Sequence, residues 1–196
     1  MTGKMTLAAA VALALGAAAC KQPTTTVSNN VSGSTDQTDE PGVANLGAAA
    51  APGGMQMNAQ QFAETAAGSD LFEIATGKLA QQKGSSAAVK RFGGMLVAEH
   101  TKSSNELKAA AAKVPGLALP VVPPPELQAR IDALQGLSGE AFDRQFLADQ
   151  TASHQQTLTA VNAYAATGDA EPLKEHAAKS TGIIQKHLNE LNQLQQ

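Results

Sequence analysis

The chain contains no tryptophan, one tyrosine, five phenylalanines and one cysteine. Aromatic rings are therefore scarce, and much of the 43% hydrophobic fraction is alanine, which favours closely packed helices over a β-sandwich. The single cysteine, Cys20, excludes an intramolecular disulfide and a cysteine-rich metal site. Net charge is −3 and basic residues do not cluster, so nucleic acid is not an expected partner.

The first nineteen residues have the pattern of a signal peptide. Lys4 supplies the positive charge, and an apolar run from Thr6 to Ala19 follows it, too short to span a bilayer comfortably. We therefore predict that residues 1–19 direct export and are removed.

Cys20 follows three alanines, an arrangement that resembles the cleavage site of a bacterial lipoprotein, where the cysteine carries lipid. Ala17 stands where such sites usually have a larger aliphatic residue, so ordinary cleavage near Ala19 is the alternative. Because Lys21, not aspartate, follows the cysteine, we expect a lipid anchor at Cys20 on the periplasmic side of the outer membrane. Without lipid, the protein would be soluble in the periplasm.

Residues 20–57 comprise this cysteine and a segment rich in Thr, Ser, Asn, Gly, Ala and Pro. The segment shows no hydrophobic period, and such a composition cannot bury enough apolar surface to offset the entropy of ordering. We predict a disordered linker that holds the following domain, 58–196, away from the membrane.

Domain 58–196 is predicted to be all-helical. Apolar residues recur at three- and four-residue steps over 58–83, 87–113 and 138–167, and again from Leu173 to Leu194. Ser85 or Ser86 is expected to cap the second of these long helices, and Asp169 the fourth. A proline-rich segment and a short helix, 126–134, separate the second from the third.

The connections predict how the four long helices are arranged. Short connections at Gly84 and Gly168 make antiparallel pairs, whereas the middle connection, about 114–137, is long. A ferritin-like four-helix bundle needs such a long second-to-third connection because its second and third helices are parallel. We favour this fold over an up-down-up-down bundle with an enlarged loop.

Several stretches of the domain resemble the family known as domain of unknown function 4142. They are FAETAAGSDLFEIATGKLAQQKGSSAAVKRFGGMLVAEHTKSSNELKAAA, FDRQFLADQTASHQQTL and LKEHAAKSTGIIQKHL. The matching positions are Glu73, His100, Phe142, Asp143, Arg144, His154 and His187. Two positions depart from the family, with Ser153 in place of a frequent aspartate and Gly182 in place of a common proline. The resemblance implies a ferritin-like fold in an exported bacterial protein, and no settled activity.

Glu73, His100, His154 and His187 lie on or beside the apolar faces of the long helices. At a rise of about 1.5 Å per residue, all four lie near the middle of the bundle, with heights along its axis that differ by no more than roughly 8 Å. They form a candidate ligand set for Zn, Fe, Mn or Cu, with Glu99 or Asp143 as an outer partner.

The interpretation we favour for these residues is a hydrogen-bonded polar layer that holds no metal. Di-iron chemistry is excluded because no histidine has a glutamate three residues before it. His176 is expected at the surface or at its boundary.

No nucleophile motif, P-loop, dinucleotide fingerprint, HExxH or CxxC occurs in the sequence. The leading hypothesis is therefore a non-enzymatic envelope protein without a cofactor, which binds an unidentified envelope protein or has a structural or stress role. The alternative is a metal-binding or metal-dependent redox bundle that uses the inward Glu and His residues.

Overall fold

The computed structural model describes residues 57–196, which contain five α-helices and no extended strand. The helices are α1 (Ala59–Lys83), α2 (Ala87–Ala111), α3 (Pro125–Gln135), α4 (Gly139–Thr167) and α5 (Glu171–Leu194). The prediction of an all-helical fold is confirmed for this part of the chain. The predicted signal peptide, Cys20 and the linker up to residue 56 lie outside the described residues.

Two predicted helix caps have different outcomes. Ser86 caps α2 as expected, since its hydroxyl accepts a hydrogen bond from the Val89 amide at 3.0 Å. The prediction for Asp169 is wrong, because α5 begins after Ala170 without a side-chain cap. Asp169 instead accepts a 2.8 Å hydrogen bond from Tyr164, whose buried ring needs an acceptor for its hydroxyl.

Helix α1 runs antiparallel to both α2 and α4. As residue numbers rise along α1, the numbers of their partners fall along α4, in the hydrogen-bonded pairs Ser69–Thr157, Glu73–Ser153 and Thr76–Gln150. The short turn after Lys83 reverses the chain into α2, which returns along α1. Helices α2 and α4 are therefore parallel to each other.

The long helices make four principal contacts: α1 with α2, α4 with α5, α1 with α4, and α2 with α5. This ring leaves α2 and α4 at diagonal positions. The segment between them, which includes α3, travels the length of the domain so that α4 can start again at the end where α2 started.

Two anchors hold this connecting segment on the domain. The Gln60 side chain on α1 donates to the Ala118 carbonyl at 2.9 Å and accepts from its amide at 3.1 Å. On α3, the Arg130 guanidinium donates to the Asp149 carboxylate at 3.0 Å and lies over the Phe72 ring, 5.0 Å from its centroid. The long connection is thus an ordered part of the fold.

The apolar core lies on both sides of a central polar region. Phe62 and Tyr164 stack at 4.1 Å near one end, where α1 begins and α4 ends. Phe92, Phe142 and Phe146 pack together toward the other end. The central polar side chains are therefore enclosed between two layers of aromatic packing.

Among the described helices, none is long and apolar enough to cross a membrane.

Candidate functional site

Each long helix contributes one predicted site residue to the interior. Glu73 on α1 is 1% exposed, His100 on α2 6%, His154 on α4 2% and His187 on α5 0%. Their burial follows from the sequence, since each occupies a position on the apolar face of its helix. A buried polar side chain needs partners, so the contacts of these four define the site.

His100, His154 and His187 converge on one point. One ring nitrogen from each lies within 4.8 Å of the other two, and the ring centroids are 5.1–5.8 Å apart. We call this set the three-histidine centre. Three helices position it, and Phe92 packs edge-on against the His187 ring at 6.2 Å.

Glu73 lies beside the three-histidine centre without joining it. Its Oε1 accepts a 2.9 Å hydrogen bond from the Ser153 hydroxyl and lies 3.7 Å from His154 Nδ1. Its Oε2 is buried and has no hydrogen-bond partner among the described residues. The four predicted site residues thus divide into three convergent histidines and one neighbouring carboxyl group.

Two carboxylates hold the outer nitrogens of the centre. His100 Nδ1 lies 2.8 Å from Asp70 Oδ1, and His187 Nε2 lies 2.7 Å from Glu99 Oε2. Lys186 donates to the other Glu99 oxygen at 2.8 Å. Because carboxylates only accept hydrogen bonds, these two ring nitrogens carry hydrogens, and the second nitrogen of each ring points inward.

The third histidine is held by backbone. His154 Nδ1 lies 2.9 Å from the Gln150 carbonyl oxygen one turn earlier on α4, so Nδ1 is again the donor. The Gln150 side chain donates to Thr76 on α1 at 2.8 Å, which fixes this turn of α4 against α1. All three histidines therefore have an oxygen acceptor on their outer side.

The inner nitrogens meet no such acceptor. His154 Nε2 and His187 Nδ1 lie 3.0 Å apart, and His100 Nε2 is buried with no hydrogen-bond partner among the described residues. With both outer nitrogens of the close pair already protonated, two neutral rings present lone pairs to each other. That contact is repulsive unless a proton or another cation lies between them.

Burial determines the charge of two of these histidines. Loss of hydration lowers the pKa of His154 to about 3, helped by the neighbouring His100 and His187. Burial also lowers the pKa of His187, although its hydrogen bond to Glu99 opposes the change. Both rings are therefore neutral near pH 7, the state in which imidazole binds metals.

The pKa values of His100 and Glu73 are raised, in contrast to those of His154 and His187. Burial alone would lower the pKa of His100, but the hydrogen bond to Asp70 and the charges of Glu73 and Asp70 raise it overall. Loss of hydration raises the pKa of Glu73 to about 7, against the influence of His100 and Ser153. A carboxyl group that titrates at neutral pH thus lies next to the centre.

Of the two outer partners predicted from sequence, the structure places only Glu99 at the centre. Asp143 instead lies near the turn between α1 and α2, where it accepts hydrogen bonds from the amides of Ser85 and Ser86 at 2.9 Å each. It binds there because the two orphan amides at the start of α2 need an acceptor.

Asp70 was missed by the sequence reasoning, although a signal for it exists. Asp70 and His100 are equally distant from Ser85 along the chain, so an antiparallel hairpin turning there puts them at the same height. The expectation for His176 is wrong: this residue is 6% exposed, because α5 turns it toward α2 and the interior.

Comparison with characterised proteins found no match, and comparison with solved structures found none either. A family model does match, over residues 44–194, which include all five helices and every residue of the site. The model is described as a domain of unknown function, and its span covers most of the chain. The chain therefore belongs to the DUF4142 family, as the resemblance in its sequence indicated.

Proposed function

We propose that this protein binds one divalent transition-metal ion at the three-histidine centre. The observation that carries the proposal is the contact of His154 Nε2 with His187 Nδ1 at 3.0 Å, between two nitrogens whose rings donate their hydrogens outward. A cation bound by both lone pairs turns this repulsive contact into two favourable bonds. His100 Nε2, buried without a hydrogen-bond partner among the described residues, supplies a third donor when its ring is neutral, so the metal competes there with a proton that the raised pKa of His100 favours.

The outer hydrogen bonds support the same proposal. Histidines that bind metals almost always donate their other N–H to a carboxylate or a backbone carbonyl, which fixes the tautomer and strengthens the ligand. Asp70, Glu99 and the Gln150 carbonyl are such acceptors. All three histidines of the centre have this feature.

Ligand chemistry narrows the choice of metal. Three imidazole nitrogens suit zinc, copper, iron or nickel, whereas manganese prefers oxygen donors. The nearby carboxylates of Asp70 and Glu99 are already engaged with outer nitrogens, so they add charge without occupying the centre. We therefore expect Zn²⁺ and Cu²⁺ to bind more tightly than Mn²⁺, with a fourth coordination position left for a non-protein ligand.

The arrangement of the helices supports a ferritin-like four-helix bundle as the scaffold. Parallel α2 and α4 at diagonal positions, joined by a long segment, are the features by which a crossover bundle differs from an up-down-up-down bundle. Bundles of this kind build metal sites from side chains on facing helices. The ligands here are histidines alone, so we do not propose di-iron chemistry.

We further propose that the domain acts in the cell envelope, attached by lipid at Cys20, and that it binds metal without turning over a substrate. The signal pattern and the linker composition support the location. The deep burial of all three ligands supports binding over catalysis, because a substrate of ordinary size has no room beside them. An envelope protein partner remains part of this proposal.

A metal-free polar layer is the second candidate. Hydrogen bonds from Ser153 to Glu73 and from Gln150 to Thr76 favour it, because they fix the register of α4 against α1. In that case the contact between His154 and His187 stays unfavourable unless a proton lies between the two rings, and the lowered pKa values of both disfavour that proton.

Equilibrium titration of the full-length protein with Zn²⁺ and Cu²⁺, in competition with a chelator of known affinity, tests the proposal. We expect one ion per chain. His100→Ala and His187→Ala should each lower the affinity by more than about a hundredfold, and Asp70→Asn by about 10- to 100-fold, because it loses the outer carboxylate. His176→Leu is the matched control, a buried histidine outside the centre whose loss should leave the equilibrium affinity unchanged.

Binding that is absent in the wild type, or equal in the wild type and both alanine variants, would contradict the metal proposal. It would favour the polar layer.

A further inference from the structure

A small cavity lies beside the three-histidine centre, between α1, α2, α4 and α5. Its volume is about 30 Å³, which is room for about two water molecules. Asp70, Glu99 and His100 line its inner side, so it adjoins two of the outer carboxylates and one proposed ligand. We call this space the entry cavity.

His176 is a further wall residue of the entry cavity. It is 6% exposed, and its Nδ1 is buried without a hydrogen-bond partner among the described residues. Burial lowers the pKa of His176, so the ring is neutral near pH 7. A buried ring nitrogen without a partner is costly in a fold, so Nδ1 of His176 is available to a water molecule or a metal ion in the cavity.

The same histidine also lines a depression that opens to solvent. Glu106 and Glu175 contribute to this depression, together with Lys113 and Lys179. The charges at its mouth balance, so the field there neither attracts nor repels a cation strongly. His176 therefore stands between solvent and the entry cavity, and the three-histidine centre lies beyond.

The ligands of the centre are too deeply buried for an ion to reach them directly from solvent. An arriving ion must lose most of its water, and each lost water must be replaced by a donor along the route. His176 supplies such a donor at the entrance, and Asp70 and Glu99 supply negative charge at the inner side.

We propose that a divalent transition-metal ion reaches the three-histidine centre through the entry cavity, with His176 as a transient ligand on the way. This inference rests on the proposed function of the centre. His176 is then a residue that controls the rate of metal exchange and takes no part in the final coordination.

A second opening, by Ser103 and Ser180, leads out of the same cavity. Lys102, Lys179 and Lys186 surround it, against the carboxylates of Glu99 and Glu106. The excess of positive charge disfavours a divalent cation, and the opening contributes no imidazole. The route past His176 is therefore the one we assign.

Stopped-flow mixing of metal-free, full-length protein with Zn²⁺ held by a metallochromic indicator measures the rate of uptake. We expect His176→Leu to slow uptake at least about tenfold, because the ion loses its donor at the entrance. Release to an excess of chelator should slow by the same factor, since the variant leaves both end states, and hence the equilibrium affinity, unchanged. Ser103→Val, which narrows the second opening, is the control and should exchange metal at the wild-type rate.

His176→Gln provides a second variant that keeps a polar side chain in the cavity, and it should also slow exchange. Wild-type exchange rates in either folded variant would overturn the assignment of His176. So would slowing by Ser103→Val alone. If the wild type binds no zinc at equilibrium, the proposed function itself fails, and that result is distinct from binding at unchanged rates.

Discussion

Glu73 offers a direct experimental test of burial, because the fold shifts the pKa of its carboxyl group into the neutral range. Its carboxyl group is buried on α1, one oxygen bonded to Ser153 and the other without a partner among the described residues. Loss of hydration raises its pKa from 4.5 to about 7. The folded protein therefore retains a proton on Glu73 that the unfolded chain releases.

This difference predicts how stability depends on pH in the metal-free protein. Below about pH 4.5 Glu73 is protonated in the folded and in the unfolded protein, so it does not make the free energy of unfolding depend on pH there. As the pH rises toward 7, the unfolded chain ionises first, so Glu73 lowers the free energy of unfolding by up to about 3 kcal/mol. Glu73→Gln should remove this loss, and its stability relative to wild type should rise by about that amount between acidic and alkaline pH.

Urea denaturation of both proteins across this pH range measures the effect. Glu64→Gln, at an exposed position on the same helix, is the matched control for replacing a carboxyl group by an amide. A constant difference between Glu73→Gln and wild type at all pH values would show that burial does not shift this carboxyl group.

Single residues also mark the limit of what the sequence reveals. Glu73 and the three histidines were found because polar residues on apolar helical faces are conspicuous. Ser153 stands where the family often has an aspartate, yet it is the hydrogen-bond donor to Glu73. From the sequence one can predict the helical face and the height of a side chain. Its partner depends on which helices are neighbours, and the sequence left two arrangements open, the crossover bundle and the up-down-up-down bundle.

At the scale of the helices, the sequence predicted the number, the order and nearly all the boundaries. The predicted segments 58–83 and 138–167 differ by one residue from α1 and α4. The largest differences are two residues, since α2 ends at Ala111 instead of residue 113 and α5 begins at Glu171 instead of Leu173. Helix ends fray within about two residues, and local sequence does not specify them more closely.

The close approach of α1 and α2 at two glycines was not predictable from the hydrophobic pattern. Gly77 on α1 and Gly93 on α2 face each other so closely that a Cβ at Gly93 would lie 2.6 Å from Ala80 Cβ and 2.7 Å from the Gly77 carbonyl oxygen. The contact holds α1 and α2 at the spacing that brings Asp70 to His100.

Gly93→Ala should therefore destabilise the protein by about 1–3 kcal/mol, because backbone must move to admit the methyl group. Gly94→Ala is the matched control, since its Cβ would meet nothing closer than 3.9 Å. That variant should gain about 0.5–1 kcal/mol from the better helix propensity of alanine. Chemical denaturation measures both, and stabilisation by both substitutions would show that the helices are not in tight contact at Gly93.

At the scale of the whole molecule, the proposed lipid anchor at Cys20 lies outside the described residues, which contain the helical domain. Lipid at Cys20 predicts that the protein fractionates with membranes and that its N-terminal peptide carries the mass of lipid. Cys20→Ser should abolish both, and Lys21→Asp should keep the lipid while moving the protein from the outer to the inner membrane. Wild-type protein in the soluble fraction with an unmodified cysteine would contradict the anchor.

The most direct test of the metal centre is X-ray absorption spectroscopy at the zinc edge on full-length protein loaded with one equivalent of Zn²⁺. We predict three imidazole ligands with Zn–N distances of about 2.0–2.1 Å. The fourth position should hold a light donor atom, and one imidazole should disappear in His100→Ala. Zinc lost during gel filtration, or zinc bound without imidazole, would contradict the account and leave His100, His154 and His187 as a structural layer.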